Sequence, residues 1–124
     1  MRALVIDDSR AVRMVLARFL TAHGYEVQQA GHGQEALEVL AADEEELPAL
    51  ALVDWNMPVM NGLEFVSACR SEQRYRAIAL MMVTTESEHS QVVRALAAGA
   101  HEYLIKPFDD EALASKLSLL GLPA

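Results

Sequence analysis

The chain has little cysteine, little positive charge and no long apolar run. Its one cysteine, Cys69, cannot form a disulfide within the chain, so we expect a reducing compartment. Lysine and arginine number 10 against 18 aspartates and glutamates, for a formal net charge of -8. Nucleic-acid binding needs clustered cations that neutralise phosphates, so this composition predicts no nucleic-acid partner.

The apolar runs are also too short for a membrane. None reaches bilayer-spanning length, and the apolar N-terminal run ends at two acids too early for a signal peptide. We therefore expect a cytoplasmic protein with no membrane partner. The acidic run at residues 43–46 is expected to be a solvated loop without a function of its own.

The sequence has enough apolar residues to fold without stabilising cross-links. Half of the 124 residues are hydrophobic, which fits one compact domain with a continuous core. There is no repeat, low-complexity tract or interdomain linker, so residues 1–124 are expected to form a single domain. Cys69 is expected to be a buried residue on a helix rather than a reactive thiol.

Short apolar segments alternate with segments of helical periodicity. The predicted strands are residues 3–6, 25–30, 49–53, 78–83 and 102–105. Most are apolar throughout, which is typical of strands buried on both faces of a parallel sheet. Five segments between and after them have apolar residues at helical spacing. Ser9 and Asp109 are the expected N-caps of the first and fifth helices, while Gly24 and Gly99 end the first and fourth.

Five strands that alternate with five helices predict an α/β fold, with a parallel sheet covered on both sides. Polar residues follow four of the strands: Asp7 and Asp8, Asp54, Thr84, and Lys106. In an open parallel sheet these strand ends form one edge, where ligand sites occur. Three carboxylates there repel each other, and a hard divalent cation relieves the repulsion, so we expect Mg2+, with Mn2+ as the alternative.

Asp54 is the candidate nucleophile among these acids. It follows the central strand alone, whereas Asp7 and Asp8 are adjacent and can share a metal. A carboxylate can take up a phosphoryl group as an acyl phosphate, with Lys106 supplying positive charge and Thr84 a hydroxyl donor. Each residue taken singly is also ordinary turn or strand-end chemistry, and only the set points to phosphoryl transfer.

The set resembles the signature of response-regulator receiver domains over essentially the whole chain. The residues that carry the resemblance are Asp7-Asp8, Asp54, Thr84 and Lys106-Pro107. Residues 54–58 and the following Asn61-Gly62 are most similar to single-domain chemotaxis regulators. The resemblance implies a flavodoxin-like, doubly wound five-stranded parallel sheet in the order 2-1-3-4-5 with five helices. It also implies a cis Lys106-Pro107 peptide bond.

The resemblance further implies a role for each site residue. Asp54 becomes the phosphoacceptor, and Lys106 contacts the phosphoryl oxygens. Asp8, Asp54 and the backbone carbonyl of Asn56 bind Mg2+ directly, while Asp7 acts through water.

A switch and a hydrolysis site follow from the same resemblance. Thr84 moves to bond the phosphate, and Tyr103 turns inward to fill the space, although strand position alone makes Tyr103 a packing residue. Asn56 and Glu86 flank the path of the hydrolytic water and predict a short-lived phosphate. Trp55 covers the site, and its indole is expected to report metal and phosphate binding.

The implied function is that of a stand-alone, monomeric response regulator. A histidine kinase phosphorylates Asp54, and a face formed by helix four, strand five and helix five then binds a protein target. That target is a flagellar motor switch or a phosphatase in the chemotaxis interpretation; a phosphorelay intermediate or a phosphate sink is the alternative. Glu88 and His89 at the start of helix four make this face less basic than is typical.

Three other functions remain open from the residues alone. An aspartyl-nucleophile phosphatase places its nucleophile after strand one, where this chain has adjacent acids. A flavin-binding protein needs a phosphate loop there, which Asp7 and Asp8 oppose by their charge. An unphosphorylated interaction module has little use for Asp54, Thr84 and Lys106 together.

Overall fold

The computed structural model describes residues 1–124. Strands and helices alternate along the whole chain, as the periodicity predicts. The ten elements are β1 (Arg2–Ile6), α1 (Arg10–Ala22), β2 (Glu26–Ala30), α2 (Gly33–Ala42), β3 (Leu50–Val53), α3 (Gly62–Ser71), β4 (Ala79–Thr84), α4 (His89–Ala98), β5 (Glu102–Ile105) and α5 (Asp110–Leu119). Two short 3-10 turns, Glu44–Glu46 and Gln73–Tyr75, precede β3 and β4.

The five strands form one parallel sheet in the order β2-β1-β3-β4-β5. This confirms the flavodoxin-like, doubly wound fold. Ile6 pairs with Val53 in the register of β1 and β3, so both strands end at the same level. The backbone N–H of Asp54 donates to the Ile6 carbonyl at 2.9 Å, and that of Asp7 donates to the Ala30 carbonyl at 3.1 Å. These bonds fix both acids one residue beyond their strands.

The sheet separates two hydrophobic clusters. Helices α2, α3 and α4 cover one face, where Phe65 and Leu40 are fully buried against strand residues. Helices α1 and α5 cover the other face through side chains such as Leu16 and Leu117. All four residues of β3 are buried, because this central strand is covered on both faces. Full burial of a leucine or phenylalanine contributes about 1.5–3 kcal/mol, so the clusters hold the strand ends firmly.

The helix ends follow the predicted capping chemistry. The side chains of Ser9 and Asp109 accept from backbone N–H groups in the first turns of α1 and α5. Asn61 and Glu64 form a reciprocal capping box at the start of α3. The cap of α2 is different, since His32 accepts from the Glu35 N–H through its ring Nδ1 at 3.1 Å.

The acidic segment before β3 is more ordered than the sequence predicts. Residues 44–46 form a 3-10 turn. Arg2 lies 2.9 Å from Asp43 and 2.8 Å from Glu46, and Arg74 pairs with Glu44. The segment is exposed to solvent, as expected, and ion pairs also tie it to β1 and to the turn before β4.

Cys69 lies buried on α3, as predicted. Burial raises the pKa of its thiol to about 12, so the side chain stays protonated and behaves as a small apolar residue. Among the helices, none combines the length and apolarity that crossing a bilayer requires.

Candidate functional site

The fold brings the three predicted carboxylates together at the carboxyl end of the sheet. One carboxylate oxygen from each of Asp7, Asp8 and Asp54 lies within 4.8 Å of the others. Asp7 and Asp54 are buried, while Asp8 is exposed to solvent. Clustered carboxylate oxygens are the hard ligands that Mg2+ and Mn2+ prefer, so the donor set fits the predicted metal.

Asp7 is the most firmly held of the three acids. Its Oδ2 lies 2.7 Å from Lys106 Nζ, and its Oδ1 accepts from the Ser9 N–H at 2.9 Å. Its backbone carbonyl accepts from Arg13 Nη1 at 2.6 Å. Arg13 was missed in the sequence, although its position one turn into α1, close to Asp7-Asp8, is the signal that could have revealed it. These contacts hold Asp7 in one orientation within the site.

Lys106 is positioned by β4 and by the loop after β5. Its backbone N–H donates to the Thr84 carbonyl at 2.8 Å, and its peptide bond to Pro107 is cis, as the resemblance implies. Besides the short contact with Asp7, its Nζ lies 3.7 Å from Asp54 Oδ1. The lysine therefore stands between the two buried acids, with its charge directed mainly at Asp7.

Asp54 has less compensation for its charge. Its Oδ1 accepts from the Trp55 N–H at 2.9 Å. Burial raises the pKa of the Asp54 carboxyl, and the charge of Asp7 adds to this, while the Thr84 hydroxyl, Lys106 and the Trp55 N–H oppose it. Lys106 at 3.7 Å offsets the burial of this carboxylate only in part, and a second cation beside it would stabilise its charge further, which agrees with a metal-assisted role.

The two predicted switch residues lie near each other and share a neighbour. Thr84 is fully buried, and its hydroxyl accepts from the Glu86 N–H at 3.4 Å. The ring of Tyr103 is turned into the core, and its hydroxyl donates to the Glu86 carbonyl at 2.6 Å. Burial, with Glu86 and Asp54 in support, raises the pKa of the Tyr103 phenol. Tyr103 is thus a packing residue, as its strand position indicates, and also a partner of the loop after β4.

The predicted hydrolysis pair is in contact. Asn56 Nδ2 donates to Glu86 Oε1 at 2.5 Å, and both side chains lie at the surface beside the site. The contact joins the loop after β3 to the loop after β4. The role of the Asn56 backbone carbonyl as a metal ligand stays a prediction.

Gly62 is a further residue of the site that sequence reasoning used only as a helix start. A Cβ added there would lie 2.2 Å from the Asp54 carbonyl oxygen. Its N–H donates to the Trp55 carbonyl at 2.9 Å. Only glycine permits this close approach of α3 to the phosphoacceptor candidate.

The family model described as "Response regulator receiver domain" matches residues 3–118. The chain belongs to the response-regulator receiver family. This receiver is 41% identical over 121 residues to the chemotaxis protein CheY1 of Helicobacter pylori, covering 97% of this chain and 96% of that one. It is 42% identical over 118 residues to a CheY homolog of Campylobacter jejuni, with 94% and 89% covered.

A solved structure supports the same relationship. The chemotaxis response regulator CheY4 of Vibrio cholerae is 36% identical to this receiver and superposes with a TM-score of 0.85, covering 95% of this chain and 96% of that chain. The chain is therefore a CheY-like receiver of the chemotaxis type. Receivers of this type are signalling proteins rather than classical enzymes, so the phosphatase and flavoprotein interpretations are not supported.

Proposed function

We propose that a histidine kinase phosphorylates this receiver at Asp54 in a Mg2+-dependent reaction, and that phosphorylation switches a protein-binding face. The observation that carries the proposal is the grouping of Asp54 with two further carboxylates and Lys106 at one sheet edge. The CheY relatives support the chemotaxis setting.

The chemistry follows from the charges. An Asp54 carboxylate oxygen attacks the phosphorus of a phosphohistidine, the N–P bond breaks, and the imidazole leaves with its electron pair and takes up a proton. Mg2+ supplies charge neutralisation on the phosphoryl oxygens. Lys106 supplies a fixed positive charge beside these oxygens, and the Thr84 hydroxyl donates a hydrogen bond to one of them. Asp8, Asp54 and the Asn56 carbonyl would hold the metal, and Asp7 would act through water.

Loss of the phosphoryl group uses water as the acceptor. Asn56 and Glu86, already joined by a hydrogen bond, stand where they can orient that water. We expect a phosphate that lasts seconds to minutes rather than hours. This self-catalysed cycle at Asp54 is the only reaction we assign to the chain.

The proposed output face consists of α4, β5 and α5. It exposes large apolar side chains: Val93, Leu96 and Ile105 are 48%, 45% and 43% exposed. Exposed apolar side chains on one surface are typical of a protein-binding site. Thr84 and Tyr103 link Asp54 to this face through β4 and β5.

The target of the face is a flagellar motor switch or a phosphatase. A specific observation also supports the alternative of a phosphorelay intermediate or phosphate sink. Lys116 lies 2.9 Å from Glu102, and Arg94 lies over the Trp55 ring, so both cations of the face are engaged within the chain. An acidic target therefore meets little free positive charge here.

Intact mass spectrometry tests the phosphorylation. Acetyl phosphate with Mg2+ should add one phosphoryl group to the wild type, and EDTA should prevent it. Asp54→Asn should gain none, whereas Glu111→Gln, which changes an exposed acid on α5, should behave as wild type. The same mass gain in Asp54→Asn would show that another residue is the acceptor.

A further inference from the structure

Trp55 is bonded to the phosphoacceptor through its backbone, and its side chain lies in the core. Its N–H donates to Asp54 Oδ1 at 2.9 Å, and its carbonyl accepts from the Gly62 N–H at 2.9 Å. The side chain is only 7% exposed and belongs to the core under α2, α3 and α4. We expect a displacement of the Asp54 carboxyl group to reach the indole ring through this backbone bond.

Arg94 of α4 lies over that ring. Its guanidinium carbon is 5.8 Å from the centre of the Trp55 ring, within the range of a cation–π contact. Arg94 makes no ion pair within 4.0 Å and no hydrogen bond. The aromatic face is thus the partner of its charge.

Helix α4 packs on the core through Ala95, with Val92 and Ala98 partly buried beside it. Ala95 is its only fully buried residue, and the side chains of Val93 and Leu96 are half exposed. Gln91 Oε1 is buried without a hydrogen-bond partner, so this oxygen forms no hydrogen bond that holds α4 in place. The contact between Arg94 and Trp55 adds to this packing a direct link between the helix and the phosphoacceptor loop.

We propose that Arg94 is a positioning residue that couples α4 to Asp54 through the ring of Trp55. The inference rests on the phosphorylation of Asp54 proposed above. An acyl phosphate removes the negative charge from the carboxyl oxygens, so the Trp55 N–H loses a charge-assisted acceptor. The peptide and ring shift, and the contact with Arg94 carries the shift to α4.

This connection differs from the one through Thr84 and Tyr103. Those two residues meet at Glu86, in the loop before α4. Arg94 instead lies in the middle of α4 and reaches the loop after β3. Two independent contacts thus join the phosphoacceptor to the proposed output face, and removal of one should leave the other in place.

The contact itself can be tested by fluorescence. Trp55 is the only tryptophan in the chain, so its emission reports this position alone. Arg94→Met should change the emission and raise the acrylamide quenching constant, since the ring loses its cover. Arg94→Lys keeps a cation and should restore part of the wild-type signal. Arg18→Met removes the same charge from an exposed position on α1 and should match wild type.

Hydrogen exchange of the α4 amides, measured with and without acetyl phosphate and Mg2+, tests the coupling between Asp54 and α4. Phosphorylation should change these rates in the wild type and in Arg18→Met. In Arg94→Met the change should be about two- to five-fold smaller, as expected for loss of one cation–π contact, and Arg94→Lys should recover part of it. The extent of phosphorylation, read by intact mass in the same samples, should be equal.

The possible failures are distinguishable. If the wild type gains no phosphoryl group, the proposed function is wrong and the coupling falls with it. If all variants are phosphorylated and α4 responds equally in Arg94→Met and wild type, the coupling alone is overturned. Identical Trp55 emission in Arg94→Met and wild type would likewise reject the contact.

Discussion

Two buried aspartates in the site receive very different support from their neighbours. Both carboxylates accept from one backbone N–H, but Lys106 Nζ lies 2.7 Å from Asp7 and 3.7 Å from Asp54. The carboxylate with the weaker compensation is the one that follows the central strand. Burial with this weaker compensation makes the ionisation of Asp54 unfavourable for folding.

The first prediction is that Asp54→Asn stabilises the protein in metal-free buffer at neutral pH. Because burial and Asp7 raise the Asp54 pKa, the folded state holds this proton to a higher pH than the unfolded state. Unfolding free energy is therefore lost as pH rises from about the ordinary value of 3.8 through the folded pKa. Asparagine removes that charge and keeps an oxygen for the Trp55 N–H.

Urea denaturation at pH 7 and at about pH 3.5 measures this effect. The gain should be present at the higher pH and vanish at the lower one. An Asp54→Asn protein that is no more stable than wild type at pH 7 would contradict the assigned electrostatics. Glu111→Gln serves as the control for removing an exposed acid.

The second residue-scale prediction concerns His101 at the start of β5. Its Nδ1 accepts from the Leu80 N–H at 3.0 Å and faces Arg70 Nη2 at 3.3 Å, so the ring is neutral when bound this way. Burial and the charge of Arg70 lower the His101 pKa. The stabilisation is thus complete above its ordinary value of 6.5 and is lost as pH falls through the lower folded pKa.

His101→Asn tests this, because its side-chain oxygen can accept from the Leu80 N–H but does not titrate. The variant should lose less unfolding free energy than wild type between pH 7 and pH 5, as measured by urea denaturation at each pH. If the unfolding free energy depends on pH equally in the two proteins, protonation of His101 does not cause the loss of stability.

At the scale of elements, the loop between β3 and α3 stores strain beside the site. Val59 has φ 67°, a left-handed conformation that is unusual for a β-branched residue. The Met60 N–H donates to the Pro58 carbonyl at 2.7 Å, which closes a tight three-residue turn around it. The Met60 carbonyl in turn accepts from the Gly33 N–H at 3.1 Å, so α2 holds the loop in place.

The third prediction is that Val59→Asn stabilises the protein by about 1 kcal/mol, because asparagine tolerates this conformation. The Val59 side chain is 77% exposed, so its removal loses little packing. Thermal or urea unfolding measures the gain. A matched Val93→Asn change, on an exposed helical position of α4, should not stabilise. Unchanged or lower stability of Val59→Asn would argue against strain at this residue.

The elements were largely predictable from the sequence, because periodicity and capping are local. Ser9, Asp109, Gly24 and Gly99 end or begin helices as expected. The His32 cap, the 3-10 turn in the acidic run and the conformation of Val59 were not predictable. Each depends on contacts between segments distant in sequence, or on a backbone angle that the residue type disfavours.

At the scale of the whole molecule, an acidic protein concentrates three carboxylates at one edge of its sheet. The net charge of -8 raises the local concentration of cations, and the cluster of three carboxylates gives a cation a defined binding site. The site residues were predictable because parallel strand ends share one edge, whereas the sheet order came only from the family resemblance. The contact of Arg94 with Trp55 depends on side-chain directions that no pattern in the sequence encodes.

The fourth prediction is that Mg2+ stabilises the folded protein. Binding to the folded state alone adds about 2.7 kcal/mol at a hundred times the dissociation constant. Thermal unfolding with Mg2+ or with EDTA should show the gain in wild type. Asp8→Ala should lose most of it together with the Mg2+ response of Trp55 emission. Full stabilisation of Asp8→Ala by Mg2+ would remove Asp8 from the metal site.

The identity of the phosphorylated residue tests the proposed phosphorylation of Asp54. Borohydride reduces an acyl phosphate of aspartate to homoserine, and peptide mapping by mass spectrometry then locates the changed position. After treatment with acetyl phosphate and Mg2+, we predict homoserine at position 54 and unchanged aspartate at positions 7 and 8. Homoserine at position 7 or 8, or a phosphoryl group on any other side chain, would show that Asp54 is not the phosphoacceptor.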